Sequence, residues 1–464
     1  MRQSLPSFTL AATSVAVLFA WLVAGLFILE AGLHGLLLTA LVSLVGLGLW
    51  LGAPYHTLRK FVFDGLAASM PALIIFILIG VVIASFIQSG TVGTLVYYGL
   101  QLLRPEFFLP AGLLLCSFMS FATGTSWGTV ATCGIVLMSV GESLGFPLPL
   151  TAGMVIAGAS FGDKMSPVSD TTNLAAMSAG TNLYRHIHAM SLTTGPSYLI
   201  ALAIFAVLGS AYGAAPADQT AAAALLAALD ASFTIHWITL IPIALMLILG
   251  WRRVPPEAVL IAASCAALII AWSLQGASLT TLLSSLYAGV SRETGSPLLD
   301  TLINRGGIGA MAWTLTLAIL AIGMGALLSQ LNLLKALITP ITQRIKRPAQ
   351  LLTASTAAAV ASNAALTEPY AAIILNGQVF QDVYDRHNID RAMLSRTLEE
   401  GSTLTAALIP WTTTAIFYGA ILGVSSTDYA PFALLNWMNP LFGIAMAWLG
   451  LGYLTSNVNV ASTD

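Results

Sequence analysis

The stretch from Gly158 to Asn173, GASFGDKMSPVSDTTN, sets Asp163, Lys164, Ser166, Ser169, Asp170, Thr171, Thr172 and Asn173 between two apolar runs, with Pro167 in the middle. Carboxylate, hydroxyl and amide oxygens, with freed backbone carbonyls, are the hard ligands that a small alkali or alkaline-earth cation takes. Pro167 has no N–H to donate and pushes Ser166 out of helical geometry, which frees those carbonyls. Irregular backbone at membrane depth is tolerated only against protein or a wet cavity. The competing reading is a polar loop at the membrane surface, because loops collect the same residue types. The apolar flanks and a matching patch later in the chain favour the buried site.

That later patch has two parts. SNAALTEPY at 362–370 carries Glu368 directly before Pro369, either as an ion- or proton-site acid or as a solvated hairpin tip. EEGSTLTAALIPWTTT at 399–414 holds Thr412 and Thr413 after a break at Pro410. Glu399 and Glu400 follow the charged stretch 382–396, so a solvated helix start is expected for them. GTSWGTVAT at 124–132 offers Thr125 and Ser126, or else a small-residue packing face. A cation–proton exchanger needs a group that holds either ion but not both. Asp163 is the leading candidate and Asp170 the second, with helix capping as the other role for Asp170. Lys164 either neutralises Asp163 in the empty site or competes with the cation. His186 and His188 read as an interfacial pair; the six histidines show no zinc-enzyme spacing, and there is no Walker A sequence.

These residues need elements that hold them inside a bilayer. The chain has 464 residues, 57% hydrophobic and only 8% charged, against about 25% charged in a soluble domain. Too few charges remain to cover a water-facing surface, so lipid is the main solvent, with room for roughly a dozen spans of about 20 residues. The net charge of −2 gives no pull toward nucleic acid. Cys116, Cys133 and Cys265 lie in apolar stretches and read as small buried hydrophobes. The first apolar run, about 8–29, reads as an uncleaved first helix.

Arg2, the Arg59–Lys60 pair, Arg252–Arg253 and Arg344–Lys346–Arg347 mark the cytoplasmic side by the positive-inside rule. The 215–232 region, with Asp218 and Asp230, reads as a polar connector or a surface helix. Short interrupted apolar segments cluster at 108–180 and 352–423 and look like two copies of one unit. IGVV at 79–82 matches IGMG at 322–325 at an offset of 243. FATGTSWGTVA at 121–131 matches SNAALTEPYAA at 362–372, and DTTN at 170–173 matches WTTT at 411–414, both at 241, while Gly162 lies opposite Gly401 at 239. The expected fold is an all-α polytopic membrane protein of about 10–13 transmembrane helices, with two related, inverted repeats containing broken helices or re-entrant hairpins. Residues 1–66 would form N-terminal helices, 67–213 and 306–464 the transport repeats, and 214–305 connector and scaffold.

GASFGDKMSPVSDTTNLAAMSAGTNLYRHI at 158–187 closely resembles the signature of the NhaC family of sodium/proton antiporters. LSRTLEEGSTLTAALIPWTTTAIF at 394–417 resembles its second signature, and GTSWGT at 124–129 is also similar. The resemblance spans roughly residues 65–425. It implies an inner-membrane antiporter that exchanges external protons for internal sodium. Its partners would be small cations, protons and lipid, with no nucleic acid, no cofactor and a possible homodimer. The ion-binding residues would be Thr125, Ser126, Asp163, Asp170, Thr171, Thr172, Asn173, Glu368, Thr412 and Thr413, with Asp163, Asp170 and Asn173 on the transported Na⁺. Some members of the family exchange organic acids such as malate and lactate, which is the alternative reading. A membrane enzyme with an Asp163–Asp170 pair is the reading from another class, and no separate catalytic motif supports it.

Overall fold

The computed structural model describes residues 6–454 apart from 103, 168, 214–218, 253, 297, 298, 301, 302 and 305. Arg2, Asp218 and Arg253 lie outside the described residues. The described chain is built of helices throughout. Phe8–Phe27, Leu33–Trp50, Leu183–Gly213 and Ile308–Gln330 are each long and apolar enough to cross a membrane alone. Two further pairs pass together but bend, by 66° at the Gln88–Thr91 break and by 91° between Ser232 and Trp237. With the hairpins and broken helices described below, these make an all-α polytopic membrane protein. The helix Tyr55–Ala68 was not expected from the sequence, because Arg59, Lys60 and Asp64 interrupt its hydropathy. The connector is helical over Gln219–Ser232.

Two hairpins and two broken helices repeat in one register. Pro105–Thr123 turns at Gly124–Thr125 into 126–143, and Pro348–Leu366 turns at Thr367–Glu368 into Pro369–Arg386. Leu148–Met165 breaks before Asp170–Ala179, and 391–406 breaks before Thr413–Leu422. Helix starts pair as 105 with 348, 126 with 369, 148 with 391 and 170 with 413, a constant offset of 243. The left-handed residues Gly124 and Thr367, and Gly180 and Gly423, keep the same spacing. The expected offsets of 241 and 239 are therefore corrected to 243. Small polar residues recur often enough to allow a slipped match, whereas left-handed turns and helix starts do not slip.

The two units face opposite ways. In the first hairpin Phe108 meets Gly141 and stacks near Phe146, ring centroids 5.0 Å apart, so its open end lies there. In the second, Ser355 and Tyr384 share a 2.8 Å hydrogen bond near the open end. The 31-residue helix Leu183–Gly213 runs between these ends. Arg185 near its start pairs with Asp390 beside the second hairpin. At its far end, Gly209 and Gly213 pack on Glu106 at the base of the first, so closely that an added Cβ would lie 2.6 Å from Glu106 backbone atoms. At about 1.5 Å per residue this helix exceeds the roughly 30 Å hydrocarbon thickness. The hairpins thus enter from opposite faces, and their tips and both helix breaks meet between them.

Backbone contact, more than side-chain bulk, joins the hairpins to the broken helices. A Cβ on Gly162 would stand 2.2 Å from the Ser117 carbonyl and 2.5 Å from the Phe121 amide. Cys116 and Cys133 are buried, but Cys265 is on the outer surface, so the expectation of burial fails there. We expect Gly162→Leu to destabilise the protein by about 1–3 kcal/mol or more, because neither partner backbone can yield. Gly46, with open space at its Cβ, should accept alanine with no loss, since glycine is the poorer helix former. Thermal unfolding of the purified variants in detergent separates the two outcomes.

Candidate functional site

Each break exposes a helix N-terminus, and each is capped by its own side chain. Thr125 accepts from the Gly128 N–H at 3.2 Å, and Ser169 from Thr172 at 3.3 Å. Glu368 accepts from Tyr370 at 2.9 Å and Ala371 at 3.2 Å, and Thr412 from Ala415 at 3.2 Å. The caps satisfy donors that would otherwise be orphaned away from water. Thr367, left-handed without being glycine (φ 62°), is held by its hydroxyl on the Ala321 carbonyl at 2.9 Å. Four positive helix ends therefore converge on the centre and offset the carboxylates gathered there.

At that centre the Lys164 ammonium lies between carboxylates from the two units. Its Nζ donates to Asp163 Oδ2 at 3.0 Å, Glu399 Oε2 at 2.9 Å and Thr171 Oγ1 at 2.8 Å, using all three donors. All three charged side chains are buried, Glu399 completely. Asp163 also accepts from Ser169 Oγ at 2.6 Å and Ser126 Oγ at 3.0 Å. Glu399 Oε2 takes a short bond from Thr403, while Oε1 has no partner among the described residues. A triad of this kind costs several kcal/mol per ion to desolvate and returns it only through good geometry.

A cavity of about 900 Å³ opens beside the triad. It is lined by both hairpin tips, by Asp163, Lys164, Asp170 and Thr171 of the first break, and by Thr413 of the second. It extends to Asp64, Glu257, Ser329 and Gln330 near one end of the helices. Trp127 stacks on Phe417 at 4.1 Å between centroids, and Phe76 stands edge-on to Phe417 at 5.4 Å, forming an aromatic wall. Asp170 Oδ2 accepts from the Tyr370 hydroxyl at 2.5 Å, which ties the first break to the second tip.

Of the residues expected at the site, Thr125, Ser126, Asp163, Asp170, Thr171, Glu368 and Thr413 line this cavity. Three do not, because their polar atoms are spent on freed backbone. Thr172 donates to the Asp163 carbonyl at 3.1 Å. Asn173 donates to the Pro167 and Ser169 carbonyls at 3.1 and 2.7 Å. Thr412 donates to Ala406 and Ile409 while capping its helix. Ser169, and not Asp170, is the N-cap of this helix, although Asp170 Oδ1 also accepts from the Thr171 N–H at 2.7 Å.

The solvated start expected for Glu399 and Glu400 is also corrected. Both are fully buried in a π turn, Glu399–Thr403, and Arg396 before them is buried too. The helix Arg391–Leu398 enters the protein at once, although its composition reads as surface. His186 is no interfacial residue either: it is buried and bonded to Ser395 at 2.7 Å, whereas His188 is exposed. The pairing of Glu399 with Lys164, and the role of Tyr370, were missed. The only available sign was the position of LEEGST immediately before an apolar run.

This chain is similar to known proteins over nearly its whole length. A family model described as the Na⁺/H⁺ antiporter family matches residues 2–172 and 158–451. The Na⁺/H⁺ antiporter NhaC of Alkalihalophilus pseudofirmus is 34% identical over 94% of this chain and 95% of its own length. The malate-2H⁺/Na⁺-lactate antiporter of Bacillus subtilis is 37% identical over 84% of each. The arginine/ornithine antiporter ArcD of Halobacterium salinarum is 28% identical over 96% of this chain and 92% of its own. With nearly its whole length matched, this chain belongs to the Na⁺/H⁺ antiporter family.

Proposed function

We propose that this protein exchanges sodium ions for protons across the cytoplasmic membrane, and that the Asp163–Lys164–Glu399 cluster holds either the cation or the proton. The observation that carries the reading is the ammonium of Lys164 seated 3.0 and 2.9 Å from carboxylates of opposite repeats. A sodium ion reaching Asp163 competes for the oxygens that Lys164 now holds. Ser126 and Thr171 supply further oxygens at the cavity edge, and Asp170, Tyr370 and Glu368 line the approach. When the cation enters, the Asp163 carboxyl gives up its proton; when it leaves, the proton returns to Asp163, and Lys164 stays paired with Glu399 in both states. The net charge of the site is thereby kept nearly constant, which matters because an uncompensated charge at this depth is costly.

The lining favours a cation over an organic acid. Asp64, Asp163, Asp170, Glu257 and Glu368 line the cavity against one lysine, Lys164, among the described residues. A dicarboxylate would meet like charge at every step, with the lysine already engaged. The cavity ends near Asp64, which pairs with exposed Lys60, and near the loop after Arg252. The positive-inside rule makes that the cytoplasmic end, so this conformation is open inward. Residues 67–213 and 306–464 form the transport repeats in this reading, with 1–66 and 214–305 as their frame.

In proteoliposomes with an imposed pH gradient, adding sodium should move protons in the wild type, and malate or lactate should not. Malate-dependent exchange would favour the organic-acid reading instead. Asp163→Asn should abolish sodium-driven proton movement at matched protein level, because an amide keeps an oxygen but carries no proton. Glu399→Gln should reduce it at least about tenfold at matched protein level, since it leaves Lys164 with one carboxylate instead of two, and should lower stability by roughly 3–5 kcal/mol. Normal exchange by both variants would move the coupling acid elsewhere, with Glu368 next to be examined. Thr171→Ala should raise the apparent KM for sodium, whereas Asn173→Ala should lower folded yield and leave KM unchanged.

A further inference from the structure

Glu400 follows Glu399 directly but points to different neighbours. Its Oε1 accepts from Thr193 Oγ1 at 2.7 Å on the long helix Leu183–Gly213. Arg396, one turn earlier, stands 3.4 Å from the same oxygen, close enough for an ion pair though not aligned for a hydrogen bond. Its Oε2 lies against Gly443 of Leu434–Trp448, where an added Cβ would be 2.6 Å away. Arg396, Glu400 and Thr193 are all buried, and none lines the cavity. Glu399 and Glu400 open the π turn Glu399–Thr403, so successive side chains leave it roughly a quarter-turn apart. A π turn lacks the regular α-helical ladder that would fix its rotation unaided, and such turns recur at functional sites.

We infer that Thr193, Arg396 and Glu400 are positioning residues that set the rotation of this turn and so aim Glu399 at Lys164. Glu400 is clamped between two helices, and Glu399 then has one direction left, toward the first repeat. Glycine at 443 leaves the room that the Glu400 carboxylate occupies. The affinity for the transported cation is thus set partly by groups that never touch it. This rests on the reading that the Asp163–Lys164–Glu399 cluster binds the exchanged ion.

The test is initial-rate sodium-driven proton movement by the full-length protein in proteoliposomes, at matched reconstituted protein, across sodium concentrations. Thr193→Val removes the hydroxyl and keeps the shape, while Thr193→Ser keeps the hydroxyl. We expect Thr193→Val to raise the KM for sodium roughly fivefold, less than the full loss of a hydrogen bond to a charged group because Thr193 acts on the cation only through Glu399, with Vmax held within about twofold. Thr193→Ser should stay near wild type in both. A Thr193→Val protein whose KM is unmoved, whether or not Vmax falls, overturns the inference, since a merely structural role lowers only the amount of working protein. Glu400→Gln should raise KM in the same direction. If it does not fold, the apolar pair Arg396→Met with Glu400→Leu replaces it, because removing both charges avoids a stranded ion. A raised KM in that double variant supports the inference, and a wild-type KM overturns it. Absence of exchange by the wild type would instead remove the underlying reading of the cluster.

Discussion

A lysine buried between two carboxylates is the constraint on which the rest of this structure depends. Each ion pair near 3 Å is worth about 4 kcal/mol or somewhat more at an effective dielectric near 20, and desolvating each ion consumes several. Good geometry is what offsets that cost: each of the three Lys164 donors has an acceptor, and Asp163 receives two hydroxyls besides. It also requires that residues far apart in sequence arrive together. Lys164 and Glu399 sit on broken helices of different repeats, so the ion pairs fasten the two units to each other at the point where both backbones are interrupted.

The interruptions have their own cost. Eight helix ends meet near the centre, and their unpaired N–H and C=O groups cannot be left to lipid. The protein answers with short polar side chains at fixed positions. Thr125 and Glu368 are equivalent caps at the hairpin tips, and Ser169 and Thr412 are equivalent caps at the breaks. Many of the hydroxyls and amides that make the signatures look like an ion site are therefore occupied by backbone. The polar side chains of the first repeat's break and hairpin tip that face the cavity are fewer, mainly Asp163, Ser126 and Thr171.

This division explains what was legible in the sequence. Composition and interrupted hydropathy reveal the all-helical membrane fold, because bilayer burial acts on every residue of a span. The repeat was visible too, but slipped by two residues, since DTTN and WTTT look alike while the true equivalents of Asp170 and Thr171 are Thr413 and Thr414. Asp163 and Lys164 stood out as charges within an apolar run. Glu399 and Arg396 did not, because they end a charged stretch whose first residues are exposed, and nothing local marks where the chain passes inside. Asn173 and Thr172 were indistinguishable from Thr171 by type. Only the position of each on a ten-residue helix decides whether its oxygen faces the cavity or the freed carbonyls.

The symmetry of the frame and the asymmetry of the site fit together. At the offset of 243, Asp163 and Lys164 fall opposite Ala406 and Ala407, and Glu399 falls opposite Ile156. One repeat supplies the aspartate and the lysine, the other supplies the glutamate, and neither holds a complete cluster alone. Two inverted copies could otherwise build two equivalent half-sites, each with a charge to neutralise in the bilayer. Replacing the counterparts with alanine and isoleucine leaves one cluster, shared across the interface, whose charge is balanced only when both units close on it. Movement of one repeat against the other must therefore either carry the whole triad or part the Lys164–Glu399 contact. In the proposed exchange, a cation that takes the place of the ammonium at Asp163 would change the cost of that parting, and occupancy of the site would be coupled to the motion of the frame.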